Sequence, residues 1–266
     1  MNIGVFDSGF GGLTVLRALL ERLPGAGYVY LGDTARLPYG AKSQATVARY
    51  AVSSAGFLVD QGAEYLVIAC NTASALALDA IRDAVPVPVL GVIETGANAA
   101  QASTTTGDVL VIATAATVES HAYAAACRER GLRGYEKACP LLVPLVEEGW
   151  IEHPVTEEVL RIYLDELLAE AAKAGLSPDT LVLGCTHYPL LRAQIERKLP
   201  AGIRVIDSAD VTATQVGEAL GVPAPTGDPQ SERSFYATDS VEKFRKLGTR
   251  FLGRPIDYVQ LIDLGG

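Results

Sequence analysis

The sequence predicts an α/β protein of two similar lobes, each a mainly parallel sheet flanked by helices, with the functional site in the cleft between them. Three observations carry that prediction. Short apolar runs alternate with amphipathic segments of helical period along most of the chain, the pattern of βαβ units. Residues 181–191 read L-V-L-G-C-T-H-Y-P-L-L, a buried strand, a tight junction and then a helix. Residues 65–74 read Y-L-V-I-A-C-N-T-A-S, with the same grammar half a chain earlier. In a parallel sheet such junctions lie at the carboxyl ends of strands, where ligands bind. Two of them, each bearing a cysteine, point to facing sites on two related lobes.

The elements follow in order. Residues 2–6 form a short apolar strand, and Asp7-Ser8-Gly9-Phe10-Gly11-Gly12 a flexible polar loop. Leucines at 13, 16, 19, 20 and 23 place a helix over 13–23, stopped by Pro24-Gly25. A second strand covers 28–31, closing on Gly32-Asp33-Thr34, and Leu37-Pro38-Tyr39-Gly40 has turn chemistry. A long amphipathic helix covers 44–61, then a strand 65–69, a helix 71–85 and a proline-interrupted strand 86–92. The polar, alanine-rich stretch 94–106 reads as a pause between lobes. Beyond it come a strand at 108–113, a hydroxyl-bearing loop at 114–120, a helix at 121–130 and a short strand and loop at 136–145. A clear amphipathic helix runs over 156–174, capped by Thr156 and stopped by Gly175. The strand 181–183, a helix 189–199 and a short strand 204–206 complete the second lobe. A helix at 212–220 and a Pro/Gly-rich link at 223–230 follow. The tail then has strands at 235–238 and 258–261 on either side of a helix at 241–251. It is too short to be a domain and is expected to return to the first lobe. The predicted division is therefore 1–95 plus 209–266, and 96–208.

Composition narrows the function. The chain has 266 residues, 49% hydrophobic and 20% charged, enough for a well-buried core. A net charge of −9 argues against nucleic acid or an anionic membrane as partner. No apolar run is long enough to span a bilayer, and the start of the chain lacks the basic flank of a signal peptide. Four cysteines without a secretory signal imply reduced thiols and a cytoplasmic setting.

The chemistry narrows by elimination and by position. The loop at Asp7–Gly12 has no Gly-Lys-Ser/Thr, and Thr14 stands where a dinucleotide motif needs its last glycine. There is no Cys-x-x-Cys, and the only histidines are His121, His153 and His187, which disfavours a metal site. A Gly-x-Ser-x-Gly elbow is absent, and no lysine occupies a strand-end junction, which disfavours pyridoxal phosphate. Cys185 and His187 could form a nucleophile pair, but residues two apart at a bend rarely align for proton transfer, and Cys70 would stay unexplained. Cys127 and Cys139 read as small buried hydrophobes. Cys70 and Cys185 each stand where a helix begins, and free N–H groups there lower a thiol pKa from its reference of about 8.5. A thiol near the working pH is a competent general acid or base.

At these residues the chain resembles a known family. F-D-S-G-F-G-G-L-T-V from Phe6, L-G-D-T-A-R-L-P-Y-G from Leu31, C-N-T-A-S-A from Cys70, A-C-P-L-L-V-P-L-V-E-E from Ala138 and G-C-T-H-Y-P-L-L from Gly184 are similar to the glutamate racemases. The related aspartate racemases usually carry Glu where this chain has His187, and they lack the F-D-S-G-x-G-G-L-T opening. The resemblance implies interconversion of L- and D-glutamate with no cofactor and no metal. Cys70 would remove the α-proton from D-glutamate and Cys185 from L-glutamate, the opposite thiol delivering a proton each time. Asp7 and His187 would assist beside Cys70 and Cys185. Substrate contacts carry over onto Asp7, Ser8, Tyr39, Gly40, Asn71, Thr72, Thr114, Thr117, Thr186 and His187, mostly neutral donors suited to a dicarboxylate. Glu148 is placed near the cleft without a role. D-glutamate is a peptidoglycan precursor, so the resemblance implies a role in bacterial cell-wall synthesis. Homodimers are common in the family, and a second copy is the one macromolecular partner expected. The chain starts almost at its first strand, so activation by a wall precursor through an N-terminal extension is not expected. The alternatives are a racemase of another acidic amino acid such as aspartate, or a non-catalytic amino-acid-binding protein.

Overall fold

The structure, a computed structural model, describes residues 1–221 and 232–265. The first part of the chain gives β1 (Asn2–Asp7), α1 (Leu13–Arg22), β2 (Gly27–Gly32), α2 (Gln44–Asp60), β3 (Tyr65–Ile68), α3 (Asn71–Leu76), α4 (Leu78–Ala84), β4 (Val89–Gly91) and α5 (Val92–Ser103). The middle gives β5 (Asp108–Ala113), α6 (Ala115–Glu119), α7 (Ala122–Glu129), β6 (Arg133–Ala138), α8 (Leu142–Glu147), α9 (Pro154–Lys173), β7 (Thr180–Gly184), α10 (Arg192–Lys198) and β8 (Arg204–Asp207). The remainder gives α11 (Ser208–Ala219), β9 (Arg233–Ala237), α12 (Val241–Leu252) and β10 (Gln260–Leu261). Single 3-10 turns at Tyr39–Ala41 and Tyr188–Leu191 precede α2 and α10. No described helix is long and apolar enough to cross a membrane.

Among the described residues two all-parallel sheets form, in the orders β10-β9-β2-β1-β3-β4 and β6-β5-β7-β8. Within each, the chain lays its first strand, crosses to one side for the second and returns to the other side for the third and fourth. β2-β1-β3-β4 and β6-β5-β7-β8 thus share one topology. The reversal of direction opens a crevice at the carboxyl ends of the first and third strands. In the first sheet that crevice holds the residues after β1 and β3, including Cys70. In the second it holds those after β5 and β7, including Cys185. β1, β3, β5 and β7 are almost fully buried and read as continuous apolar runs, as parallel strands covered on both faces must.

The tail joins the first sheet. β9 pairs with β2, from Tyr28 opposite Arg233 to Gly32 opposite Ala237, and β10 adds outside it. Phe244, Leu247, Phe251 and Leu252 of α12 are buried, and α12 packs on α1. α11 packs on both α1 and α5, and the Thr95 and Thr212 hydroxyls meet at 2.8 Å. One apolar cluster runs from Ile3 and Leu16 through Val92 and Val216 to Leu110 and Leu183, so the two sheets share a core.

Several elements differ from the sequence reading. The stretch 94–106 is not a pause: α5 fills most of it, entered from β4 with Gly91 as its N-cap and no loop between. The expected helix 71–85 breaks at Ala77, whose φ of −134° leaves the helical range, giving α3 and α4. The loop at 114–120 carries the short helix α6. α8 occupies part of 136–145, with Pro144 in its first turn, where a missing N–H costs nothing. α9 starts at Pro154 and is capped by the His153 side chain, which accepts from Val155 N, rather than by Thr156. The Thr156 hydroxyl instead donates to Trp150 O. The expected helix at 189–199 is a 3-10 turn followed by α10, and the strand at 258–261 shrinks to Gln260–Leu261. The link at 223–230 lies outside the described residues.

Candidate active site

A cavity of about 440 Å³ opens where the two crevices meet. One wall brings Ser8 after β1, Tyr39 and Gly40 from the 3-10 turn, and Cys70, Asn71 and Thr72 after β3. The other brings Thr114 after β5, Glu147 from α8, and Cys185, Thr186 and His187 after β7. No lysine or arginine is among the described lining residues. Among the described residues, no group of three or more His, Cys, Asp or Glu side chains could hold a metal ion.

Cys70 is the N-cap of α3, its sulfur accepting from Ala73 N at 3.4 Å and donating to Ser8 Oγ at 3.4 Å. The expectation that the helix start lowers this thiol pKa fails. Burial, reinforced by the negative charge of Asp7, pushes it up to about 12 despite the hydrogen bonds that favour the thiolate. α3 has only six residues, so little macrodipole stands against that desolvation. Asp7 is almost fully buried at the end of β1. Its Oδ2 accepts from Gly9 N at 2.8 Å, and its Oδ1 lies 3.5 Å from the Thr186 hydroxyl across the cleft. Burial raises its pKa, opposed by the His187 charge and by backbone donors at Gly9 and Gly12.

Cys185 and His187 are closer than two residues at a bend usually come. The backbone turns back at once, Tyr188 N donating to Cys185 O at 3.1 Å, and the sulfur stands 4.0 Å from His187 Nδ1. The other ring nitrogen, Nε2, lies 3.2 Å from Glu147 Oε1. The sequence thus concealed a Cys185–His187–Glu147 chain. Burial opposes the charged imidazole, but the Cys185 sulfur and the Glu147 carboxylate outweigh it and raise the His187 pKa to about 10. For Glu147, burial likewise opposes the charge, and His187 and Lys243 overcome it, so its pKa is lowered. Lys243 of α12 reaches Glu147 Oε2 at 3.4 Å, and Phe251 sets its ring at 5.1 Å, near perpendicular to His187.

The remaining predicted contacts fall into two layers. Ser8, Tyr39, Gly40, Asn71, Thr72, Thr114, Thr186 and His187 line the cavity. Asp7 and Thr117 are buried behind it. Thr117 closes a ring of hydroxyls with Thr72 and Thr114, at 3.2 and 3.0 Å, while Thr72 and Thr114 meet at 3.0 Å across the cleft. Tyr39 donates to Asp33, which also accepts from Arg36 Nε and Thr238 Oγ1 at 2.9 Å each. Cys127 and Cys139 are buried and do not line the cavity. Glu148, expected near the cleft, is exposed on the outer side of α8, and Glu147 takes the inner side. Adjacent glutamates on a helix point about 100° apart, so a helical reading of 142–147 would have separated them.

Comparison with known proteins bears on this geometry. Residues 3–216 match the family described as Asp/Glu/Hydantoin racemase. The chain is 50% identical to a glutamate racemase of Koribacter versatilis, over 99% of this chain and 98% of that one. It superposes on glutamate racemase from Francisella tularensis in complex with D-glutamate with a TM-score of 0.87, at 35% identity, covering 99% and 97% of the two chains. It superposes on glutamate racemase from Thermus thermophilus in complex with β-chloro-D-alanine with a TM-score of 0.84, at 44% identity, covering 99% and 97%.

Proposed function

The chain belongs to the Asp/Glu/Hydantoin racemase family, and from that premise we propose that it interconverts L- and D-glutamate by moving the α-proton between two thiols. The observation that carries this reading is that Cys70 and Cys185, each at the end of the third strand of its sheet, line one cavity. Inverting a carbon needs a base on one face and an acid on the other. In this account Cys70 takes the proton from D-glutamate and Cys185 takes it from L-glutamate. The opposite thiol returns a proton to the other face, so the two sulfurs share one proton before and after each turnover, as one thiolate and one thiol that have exchanged roles. Cys70, with its pKa near 12, rests protonated at neutral pH, the form that serves as acid when L-glutamate is deprotonated. The His187 imidazolium, 4.0 Å from Cys185, supports the negative charge passing through that sulfur, and Glu147 keeps the ring charged and oriented. Asp7 assists on the Cys70 side.

The substrate is held by neutral donors: the Ser8, Thr72, Thr114 and Thr186 hydroxyls, the Asn71 amide and backbone N–H groups at the strand ends. Tyr39 and Gly40 close the site above them. We take the lobes as 1–95 plus the described part of 209–266, and 96–208, with α5 crossing the first boundary and the site between them. The setting we infer is cytoplasmic, the product D-glutamate serving peptidoglycan synthesis, with homodimerisation as the expected assembly.

Purified protein without added cofactor should bring L- or D-glutamate to an equal mixture of enantiomers, read by chiral chromatography, and leave alanine untouched. Faster turnover of aspartate would move the substrate assignment to that acid. Tight glutamate binding without turnover would make the protein a binding module. Close packing supplies a second test. A methyl on Gly11 would overlap the Thr186 hydroxyl and stand 2.6 Å from His187 Nδ1. Gly11→Ala is therefore expected to lower kcat/KM by roughly 100-fold, the scale of loss that a displacement of about 1 Å can bring. Circular dichroism should show the parent fold.

A further inference from the structure

Tyr123 of α7 is fully buried, and it touches both cysteine junctions at once. Its hydroxyl donates to Asn71 Oδ1 at 2.7 Å, the residue directly after Cys70. Its ring lies against Gly184, the residue directly before Cys185, where an added methyl would stand 2.9 Å from Cε2. Gly96 in α5 makes the same room on the other ring edge, with 3.1 Å to Cε1 and to the hydroxyl oxygen. The absence of a Cβ at both glycines lets the ring reach this position. Burial holds the phenol well above its usual pKa, so it stays a donor across the ordinary pH range.

The hydrogen bond has a directional consequence. An asparagine amide offers an acceptor oxygen at one end and two donors at the other. In this arrangement Oδ1 is engaged by Tyr123, and Nδ2 is left buried with no partner of its own among the described residues. A buried donor without a partner costs free energy unless something supplies an acceptor. Asn71 lines the cavity, and a carboxylate oxygen is the acceptor the proposed substrate brings.

We propose that Tyr123 is a positioning residue that presents the Asn71 amide nitrogen to a substrate carboxylate, from the same support that carries Cys185. The inference rests on the reading of Asn71 as a substrate contact. Through it, a side chain outside the cavity sets the spacing between a binding group on one wall and a thiol on the other. Its effect falls mainly on binding, because Asn71 touches the carboxylate and not the moving proton.

Tyr123→Phe tests this, since the ring still fills its space and only the donor is lost. The expected result is a KM about tenfold higher for both enantiomers, with kcat nearly unchanged; a factor of ten corresponds to ~1.4 kcal/mol of binding. In an Asn71→Ala background the same substitution should raise KM no further. Additive effects of the two substitutions, or a parental KM in Tyr123→Phe, would overturn the proposal. The free protein offers a readout without turnover. The side-chain amide resonances of Asn71, identified by their loss in Asn71→Ala, should move in Tyr123→Phe, and resonances that stay in place would overturn the positioning role. A parent protein that turns over no glutamate would instead overturn the function proposed above, leaving the amide resonances to decide the role of Tyr123.

Discussion

Cys185→Ser is expected to lower kcat for glutamate racemisation by about a thousandfold, and Cys70→Ser by a similar factor, the scale of a lost general acid or base. A serine hydroxyl is too weak an acid to exchange its proton on the catalytic timescale. Neither variant can become a one-way enzyme. The enantiomers have equal free energy in achiral water, so kcat/KM must fall by the same factor in both directions. Initial rates from each pure enantiomer, followed by chiral chromatography, check both statements. Unfolding would not account for the loss. The contacts of Cys70 with Ser8 Oγ and Ala73 N are ones a serine can make, and serine is a favoured N-cap. Cys70→Ser should therefore melt at or above the parent temperature. Full activity in either variant would remove the two-base account.

Glu147→Gln is expected to reduce kcat by roughly 100-fold, within the range that proton-transfer groups contribute, without abolishing binding. The carboxylate 3.2 Å from Nε2 helps to keep His187 charged, and burial alone would drive the ring neutral. The effect should also appear in stability against pH. The His187 pKa is raised from 6.5 in the unfolded chain to about 10, so its stabilising contribution is complete below pH 6.5 and is lost as pH rises toward 10. The Glu147 pKa is lowered from 4.5, so its contribution is complete above pH 4.5 and is lost as pH falls below it. The melting-temperature gap between parent and Glu147→Gln should be widest between pH 4.5 and 6.5 and narrow on both sides. A gap independent of pH would show that the pair does not titrate as described.

The strands and both cysteine junctions were legible because fully buried parallel strands are continuous apolar runs, which end abruptly where Cys70 and Cys185 begin. The helix α5 was not legible. Gly96 and Asn98 interrupt it, its alanines give little contrast between faces, and it follows β4 without a loop to announce it. α8 was hidden by Pro144, which reads as a breaker until its place in the first turn is known. That concealment had a functional cost. Without the helix, Glu147 could not be told from Glu148, and the partner of His187 was missed. The thiol of Cys70 was misjudged for a different reason: sequence displays the helix start but not the depth of burial or the nearness of Asp7. The proximity of Cys185 to His187 depended on the turn that Tyr188 N closes on Cys185 O, a backbone feature with no fixed signature in C-T-H-Y. Tyr123 gave no signal at all, since an aromatic residue inside an amphipathic helix reads as core.

The central claim is that two thiols act on opposite faces of one carbon, and it is tested most directly by carrying out the reaction in heavy water from pure L-glutamate. While conversion is still small, the D-glutamate formed should carry deuterium at Cα, delivered by the Cys70 thiol. The remaining L-glutamate should still carry protium, because Cys185 alone has touched its face. Repeating the experiment from D-glutamate should give the mirror result. Early deuterium in both enantiomers alike, or substrate protium retained in the product, would mean that one shared base serves both faces and would contradict the account.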